Sequence, residues 1–234
     1  MPRRPLLLLV LGGLLASLLL APAPASASAF AAKAQRALNR LGCDAGPVDG
    51  SIGAHTRAGI VRFQAANGLG QDGHLTDATR RRLYAAAQVR CDRRPVPRHS
   101  STGRRIVLSQ RQNYVWLVRA GGGVAAQGPM VDNPSVLGTG SHRVASYCGR
   151  AAKIRSNTDA GGSLWLPYFT RFAPCGVGFH RVPLSRSSGA QIHPDWMLGT
   201  DLKESHGCIR LSRRMAAAVW DFGSVGTPVV VVRG

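Results

Sequence analysis

At Arg104 the hydrophobic period of the chain changes, and that change limits the folds open to it. Before it, Ala34, Leu38 and Leu41 recur at helical spacing and Gly42 closes the segment. Thr56 is placed to cap a second helix carrying Ile60 and Phe63 and ending near Asn67-Gly68, and Thr76 to cap a third carrying Leu83 and Tyr84. The stretch from Asp44 to Gly53 is turn-rich around Asp49-Gly50. After Arg104 the runs Arg105 to Ser109 and Gln112 to Arg119 are rich in Val, Ile, Leu, Tyr and Trp, with a Gly121-Gly122-Gly123 turn behind them. They predict a β-hairpin and a third strand near Val124 to Val131. Ser212 should cap a helix through Met215, Val219 and Trp220, and Val229 to Val232 should form a closing strand. The fold class is therefore α+β, a small three-helix module at 30–91 followed by a β-rich domain at 104–234. Between them, residues 92–103 are polar, carry Pro95 and Pro97 and show no apolar period. They read as an inter-domain linker, semi-stiff around the prolines.

The N-terminus reads differently from both domains. Arg3 and Arg4 precede an apolar run of 15 residues from Leu6 to Leu20, then small residues at A-x-A spacing through Ala29. That order describes a secretory signal peptide over 1–29. The run is shorter than the roughly 20 residues of a membrane-spanning helix, so no transmembrane segment is expected after cleavage. Export changes how the charge of +19 is read, all but three of its 30 basic residues being arginine. The basic residues are scattered and form no nucleic-acid motif, so an anionic wall polymer or membrane surface is expected as the partner and nucleic acid is not. Five cysteines outside the cytosol imply disulfides with one thiol left over. Cys43 and Cys91 bracket the first domain while Cys148 and Cys175 lie in the second, so pairing within each domain is the economical assignment. Four cysteines nevertheless allow three connectivities. The sequence carries no indication of oligomeric state.

The leftover thiol is Cys208, inside Ser205-His206-Gly207-Cys208-Ile209-Arg210-Leu211-Ser212. A thiol attacks as thiolate, so a nucleophilic cysteine needs electropositive company, which imidazole, guanidinium and backbone N–H groups supply. Gly207 permits close backbone approach to a substrate, and the N–H groups around Cys208 are placed to hold an oxyanion. Upstream, Gly176-Val177-Gly178-Phe179-His180 is a small-apolar strand ending in histidine. No HExxH occurs and acidic residues number only 11, so neither a metal nor another cofactor is expected.

The strand-end histidine followed by Ser205-His206-Gly207-Cys208-Ile209-Arg210 resembles the L,D-transpeptidase family with its YkuD-like catalytic domain, over roughly 104–234. The N-terminal pattern Gln35…Leu38…Leu41-Gly42…Gly46-Pro47-Val48-Asp49-Gly50…Thr56…Phe63-Gln64…Asp72-Gly73…Thr79…Leu83 resembles the peptidoglycan-binding domain. The resemblance implies an exported, wall-associated enzyme acting on peptidoglycan stem peptides. It makes Cys208 the nucleophile, His180 the general base, and His206 and Gly207 supporting parts of the catalytic site. Arg210 then binds a substrate carboxylate or shapes the cleft, with Ser205 beside it in the substrate-binding motif. Water as acceptor gives an L,D-carboxypeptidase, a protein amine an anchoring enzyme, and loss of turnover a non-catalytic wall-binding protein. Three differences from the family pattern stand out. The Thr-Pro-x-Gly element is replaced by Asn133-Pro134-Ser135-Val136-Leu137-Gly138-Thr139-Gly140, Arg181 follows the base, and 24 residues separate His180 from Ser205. The extra length falls in Leu184 to Met197, expected as a polar insertion beside the site acting as a lid. His193 within it is a competing histidine set aside in favour of His180.

Overall fold

The computed structural model describes residues 25–201 and 205–234, without the side chains of residues 25–27 and Cys175. The leader expected over 1–29 thus lies mostly outside the described residues. Three helices come first, α1 (Ala25–Arg40), α2 (Ala54–Ala66) and α3 (Asp77–Leu83). Ala34, Ala37 and Leu38 of α1 meet Ile60 and Phe63 of α2 and Leu83 of α3 in one small core. Thr76 caps α3 as expected, its side chain accepting from the Thr79 N–H. Thr56 does not cap α2. The helix starts from Gly53, and Thr56 lies inside it with its hydroxyl buried, donating to Ala45 O at 2.9 Å and accepting from Gln35.

Two buried glutamines tie this module together in the same way. Gln35 Nε2 donates to Asp49 Oδ1 and Thr56 Oγ1, while its Oε1 accepts from the Gly50 N–H. Gln64 Nε2 donates to Asp72 Oδ1 and Thr79 Oγ1, and its Oε1 accepts from the Gly73 N–H. Each helix thereby fixes the Asp-Gly turn and the threonine that follow it, which explains why these residues recur in the same order. The disulfide Cys43–Cys91, spanning 48 residues, ties the loop after α1 to the end of the module. In the chain-entropy account a loop of that length contributes about 4 kcal/mol.

The second part is β-rich. Its strands are β1 (Arg105–Ser109), β2 (Tyr114–Val118), β3 (Val124–Val131), β4 (Gly140–Arg143), β5 (Lys153–Thr158), β6 (Leu164–Arg171), β7 (Gly178–Arg181), β8 (Leu184–Ser185), β9 (Ile209–Leu211) and β10 (Pro228–Val232). The helix α4 (Arg213–Phe222) precedes β10. Strand order is β4-β10-β1-β2-β3-β9-β7-β6-β5, with β8 beside β6. The expected hairpin is β1–β2, antiparallel from Arg105↔Val118 to Ser109↔Tyr114. The core gathers Ile106, Leu108, Val115, Leu117, Val229 and Val231 from one end of this path and Phe172, Phe179, Ile209 and Leu211 from the other, with Met215 and Val219 of α4 between them. Ser212 caps α4 by accepting from the Met215 N–H. The opposite face of β1 and β2, with Val107, Tyr114, Trp116 and Val118, forms a second buried cluster. Burial on both faces is why these two strands read as near-continuous apolar runs.

Residues 92–103, expected as a linker, begin by packing into the seam between the two parts. Arg94 is only 3% exposed. Its guanidinium lies 4.1 Å over the Tyr114 ring and donates to Cys91 O, Gln112 O and Arg62 O. Trp116 Nε1 donates to Arg94 O at 3.0 Å. From the module side the buried Arg62 donates to Cys43 O, Asp44 O, Trp196 O and Leu198 O. His55 stacks on Trp196, with ring centroids 5.1 Å apart. Burial pushes both guanidinium pKa values down to about 10, so both stay charged at neutral pH. At the start of this stretch arginine N–H groups meet backbone carbonyls instead of water.

Arg62→Met removes the donors of four carbonyls at this seam and should cost at least about 3 kcal/mol. Urea unfolding followed by circular dichroism should show one transition in the parent and two in the variant, the module melting first. An unchanged single transition would mean that the seam does not couple the two parts.

Candidate active site

The site is built by β7 and β9, which pair in parallel as Phe179↔Ile209, His180↔Arg210 and Arg181↔Leu211. Side chains alternate across a strand. Phe179, Ile209 and Leu211 therefore go to the core, and His180, Cys208 and Arg210 go to the other face. That face is the wall of a cleft of about 370 Å³, which Ser205, His206, Leu166 and Phe169 also line. Tyr168 of β6, at φ 60°, interrupts the alternation along its strand, so Leu164 and Leu166 line the cleft together with Phe169 and Arg171.

Cys208 is half-buried, and its Sγ–H donates to Gly176 O at 3.3 Å. Burial pushes its thiol pKa up, while the Gly178 backbone, Arg171 and Arg210 pull it down. His180 is 2% exposed and stacks on Phe169 with the ring planes 13° apart. Its Nδ1 lies 2.5 Å from Arg181 O. A carbonyl only accepts, so Nδ1 carries the proton and Nε2 is left as the basic nitrogen. Only the backbone carbonyl of Arg181 serves here, which is why a long side chain is accommodated after the histidine. Burial is the main cause that takes the His180 pKa down to about 4, outweighing the Arg181 carbonyl, and Arg210 lowers it further.

The loop before Cys208 is held by the segment that departs from the family pattern. Asn133 Nδ2 donates to Ser205 O at 2.8 Å, and the Ser205 N–H donates to Asp132 O at 3.3 Å. Ser205 Oγ accepts from the Gly207 N–H at 3.0 Å. That N–H, among the backbone donors expected to face a substrate, is thus taken within the loop. Gly207 has φ 130°, and a Cβ there would come within 2.7 Å of Val136 Cγ1, so the position requires glycine. His206 is exposed at the cleft rim. The sequence marks Asn133 only as the start of a stretch that departs from the family pattern and assigns it no role.

The insertion from Leu184 to Met197 contributes no residue to the cleft lining among the described residues. It was expected as a lid and is instead pinned. β8 pairs with β6, Gln191 Oε1 accepts from Arg181 Nε and Nη2, and the carbonyl of Trp196 is held by Arg62. His193 is buried, its Nδ1 3.1 Å from Pro194 O, and it is absent from the cleft wall. Of the cysteines, Cys43 and Cys91 pair as expected and Cys208 is free. Cys148 is disulfide-bonded, and the side chain of Cys175, its expected partner, lies outside the described residues.

A histidine held neutral by burial titrates less readily folded than unfolded. Between pH 6.5 and about 4 the unfolded chain binds the proton that His180 refuses. Stability should therefore fall as pH drops through that window, by about 3 kcal/mol from this group. Denaturant midpoints across pH should show a shallower slope in His180→Asn than in the parent. Equal slopes would mean that His180 protonates freely in the folded protein.

Comparison with known proteins adds to this geometry. A model of the peptidoglycan binding domain matches residues 29–83, and one of the L,D-transpeptidase catalytic domain, YkuD, matches residues 92–231. No curated protein matches the chain. Among solved structures, an L,D-transpeptidase from Xylanimonas cellulosilytica aligns at 20% identity and TM-score 0.50, over 87% of this chain and 93% of that one. One from Stackebrandtia nassauensis aligns at 18% identity and TM-score 0.45, over 87% and 90% of the two chains. One from Mycobacterium smegmatis aligns at 23% and 0.42, over 56% and 59%. At such identities the first of these likenesses speaks for the fold alone, and the other two carry no argument. The match over 92–231 spans more than half of the 234 residues, and the chain belongs to the L,D-transpeptidase family defined by the YkuD catalytic domain, with a peptidoglycan-binding domain ahead of it.

Proposed function

We propose that the protein is an exported, wall-associated L,D-transpeptidase in which Cys208 is the nucleophile and His180 the general base. One observation carries this reading, the β7–β9 pairing that brings a free thiol and a neutral, tautomer-fixed imidazole into one cleft. The donor is a peptidoglycan stem. Cys208 Sγ attacks the carbonyl of its third residue, the thiol proton passes to His180 Nε2, and the C–S bond forms. Collapse breaks the C–N bond, and the same proton goes to the leaving amine, so terminal D-Ala departs. The amine of a neighbouring stem then attacks the thioester carbonyl, its proton passes to His180 Nε2 and on to Sγ as the C–S bond breaks, and a 3–3 cross-link results.

The low basicity of His180 suits the second half of this sequence. A weakly basic imidazole holds its proton loosely and gives it readily to the departing amine. The cost falls on the first step, where burial, and to a lesser extent Arg210, disfavours the imidazolium. A substrate carboxylate seated on Arg210 would neutralise that charge and raise the basicity of His180 once substrate is bound. The peptidoglycan-binding domain would keep the cleft close to its polymeric substrate, and a disulfide-bonded module suits an oxidising compartment.

Incubating the purified protein with disaccharide-tetrapeptide and weighing the products separates the possible acceptors. Cross-linked dimer is the expected product, and tripeptide without dimer would make water the acceptor and the protein an L,D-carboxypeptidase. Cys208→Ala should lower either activity by at least about 10³-fold while leaving the denaturant midpoint near that of the parent. An alanine variant that still turns over tetrapeptide would overturn the proposal.

A further inference from the structure

Three neighbouring strands place three residues in a row on the cleft face. Arg171 of β6 pairs with Gly178 of β7, and the parallel register of β7 with β9, continued one residue back from Phe179↔Ile209, sets Gly178 beside Cys208. Paired residues in a sheet project to the same side, so Arg171 and Cys208 face the cleft with only a glycine between them. That glycine is obligatory, because a Cβ at 178 would lie 2.8 Å from the Phe169 ring. The place a side chain at 178 would take is filled by the Phe169 ring, the same ring that carries the Arg171 guanidinium, so the guanidinium and the sulfur are held on either side of Gly178 on one face.

Arg171 is 1% exposed, among the most buried large side chains in the protein. Its stem and guanidinium lie over Phe169, with Cζ 4.9 Å from the ring centre, and its Nε donates to Ala151 O at 3.2 Å. Nη1 is buried with no hydrogen-bond partner among the described residues. A buried donor without a partner is costly, more so on a charged group, and in a native protein it requires an explanation. Arg62 and Arg94, equally buried, spend their donors on backbone carbonyls. Arg171 keeps one unspent beside the reactive thiol.

We infer that Arg171 is a further positioning residue of this site, a fixed cation across Gly178 that the Cys208 sulfur meets when it becomes a thiolate. When the S–H bond breaks, the proton goes to His180 Nε2 and the negative charge stays on sulfur, facing Nη1. The inference rests on the reading of Cys208 as nucleophile. Other charged or titratable groups around the sulfur are His180 from β7, Arg210 from β9, His206 from the preceding loop, and Arg150 and Asp159 at the cleft rim. Asp159 is turned to its own loop, accepting from the Leu164 N–H and from Ser163 Oγ, and does not neutralise Arg171. The direction of charge coupling agrees, since Arg171 favours the Cys208 thiolate and Cys208 favours the charged Arg171.

The test is the pH dependence of Cys208 alkylation by iodoacetamide, read by peptide mass on the full mature chain with its disulfides intact. It requires no turnover, so its outcome is separate from that of Cys208→Ala on tetrapeptide. Arg171→Gln should raise the alkylation midpoint by about one pH unit and slow the reaction at neutral pH roughly tenfold. Arg171→Met, which keeps an apolar stem on Phe169, is the second neutral variant should the first not fold, and Arg171→Lys should restore at least half of the shift. A folded neutral variant with an unmoved midpoint would overturn the inference. So would a rise in KM for tetrapeptide with no change in the alkylation profile, which would make Arg171 a reader of substrate carboxylate. Failure of both neutral variants to fold would make the arginine structural and also overturn it.

Discussion

The parallel pairing of β7 and β9 is the constraint on which the rest of this structure depends. The strands have four and three residues and are far apart in sequence, so the pair cannot stand alone. Its support comes from both sides, β6 beyond β7 and β3 beyond β9, and from α4, which packs across them. The alternation within these short strands then decides the chemistry. One set of residues, Phe179, Ile209 and Leu211, goes into the common core and makes the register difficult to slip. The other set is delivered to the cleft, with its order fixed by the same hydrogen bonds.

Much of this was legible in the sequence, because the signals were local. Caps at Thr76 and Ser212, the β1–β2 hairpin, the closing strand, and a histidine and cysteine at strand ends are all read from residues close to one another. What escaped was non-local and polar. Thr56 has the composition of a cap, but its hydroxyl is claimed by Gln35 from the previous helix. Asn133 supports the loop before Cys208 from 72 residues away. The insertion at 184–197 has a polar composition that suggests exposure, yet Arg181 and Arg62 fasten it away from the cleft. Hydrophobic period does not register a hydrogen bond between distant segments.

Arginine is the clearest case. Arg62, Arg94, Arg105, Arg171 and Arg210 are all buried, so the formal charge of +19 overstates what the surface presents. Lysine could not reproduce the several carbonyl contacts of Arg62 and Arg94. A planar guanidinium spreads its donors over several carbonyls and stacks on rings, as Arg94 does on Tyr114 and Arg171 on Phe169. In a small protein with two modest cores, these side chains act as polar rivets where apolar packing runs out. The composition that suggested adhesion to an anionic polymer is thus partly an internal building material.

The bridge between Cys43 and Cys91 gains a second meaning from its neighbours. The carbonyl of Cys43 receives Arg62 Nε, and that of Cys91 receives Arg94 Nε. The two half-cystines are thus also the acceptors on which the rivets of the seam rest, and Arg94 in turn holds Arg62 through its carbonyl. The covalent bond fixes the spacing of those two acceptors and so constrains both guanidinium contacts at once. Reduction of this one bond would therefore act on the seam between the two parts as well as on the module that contains it.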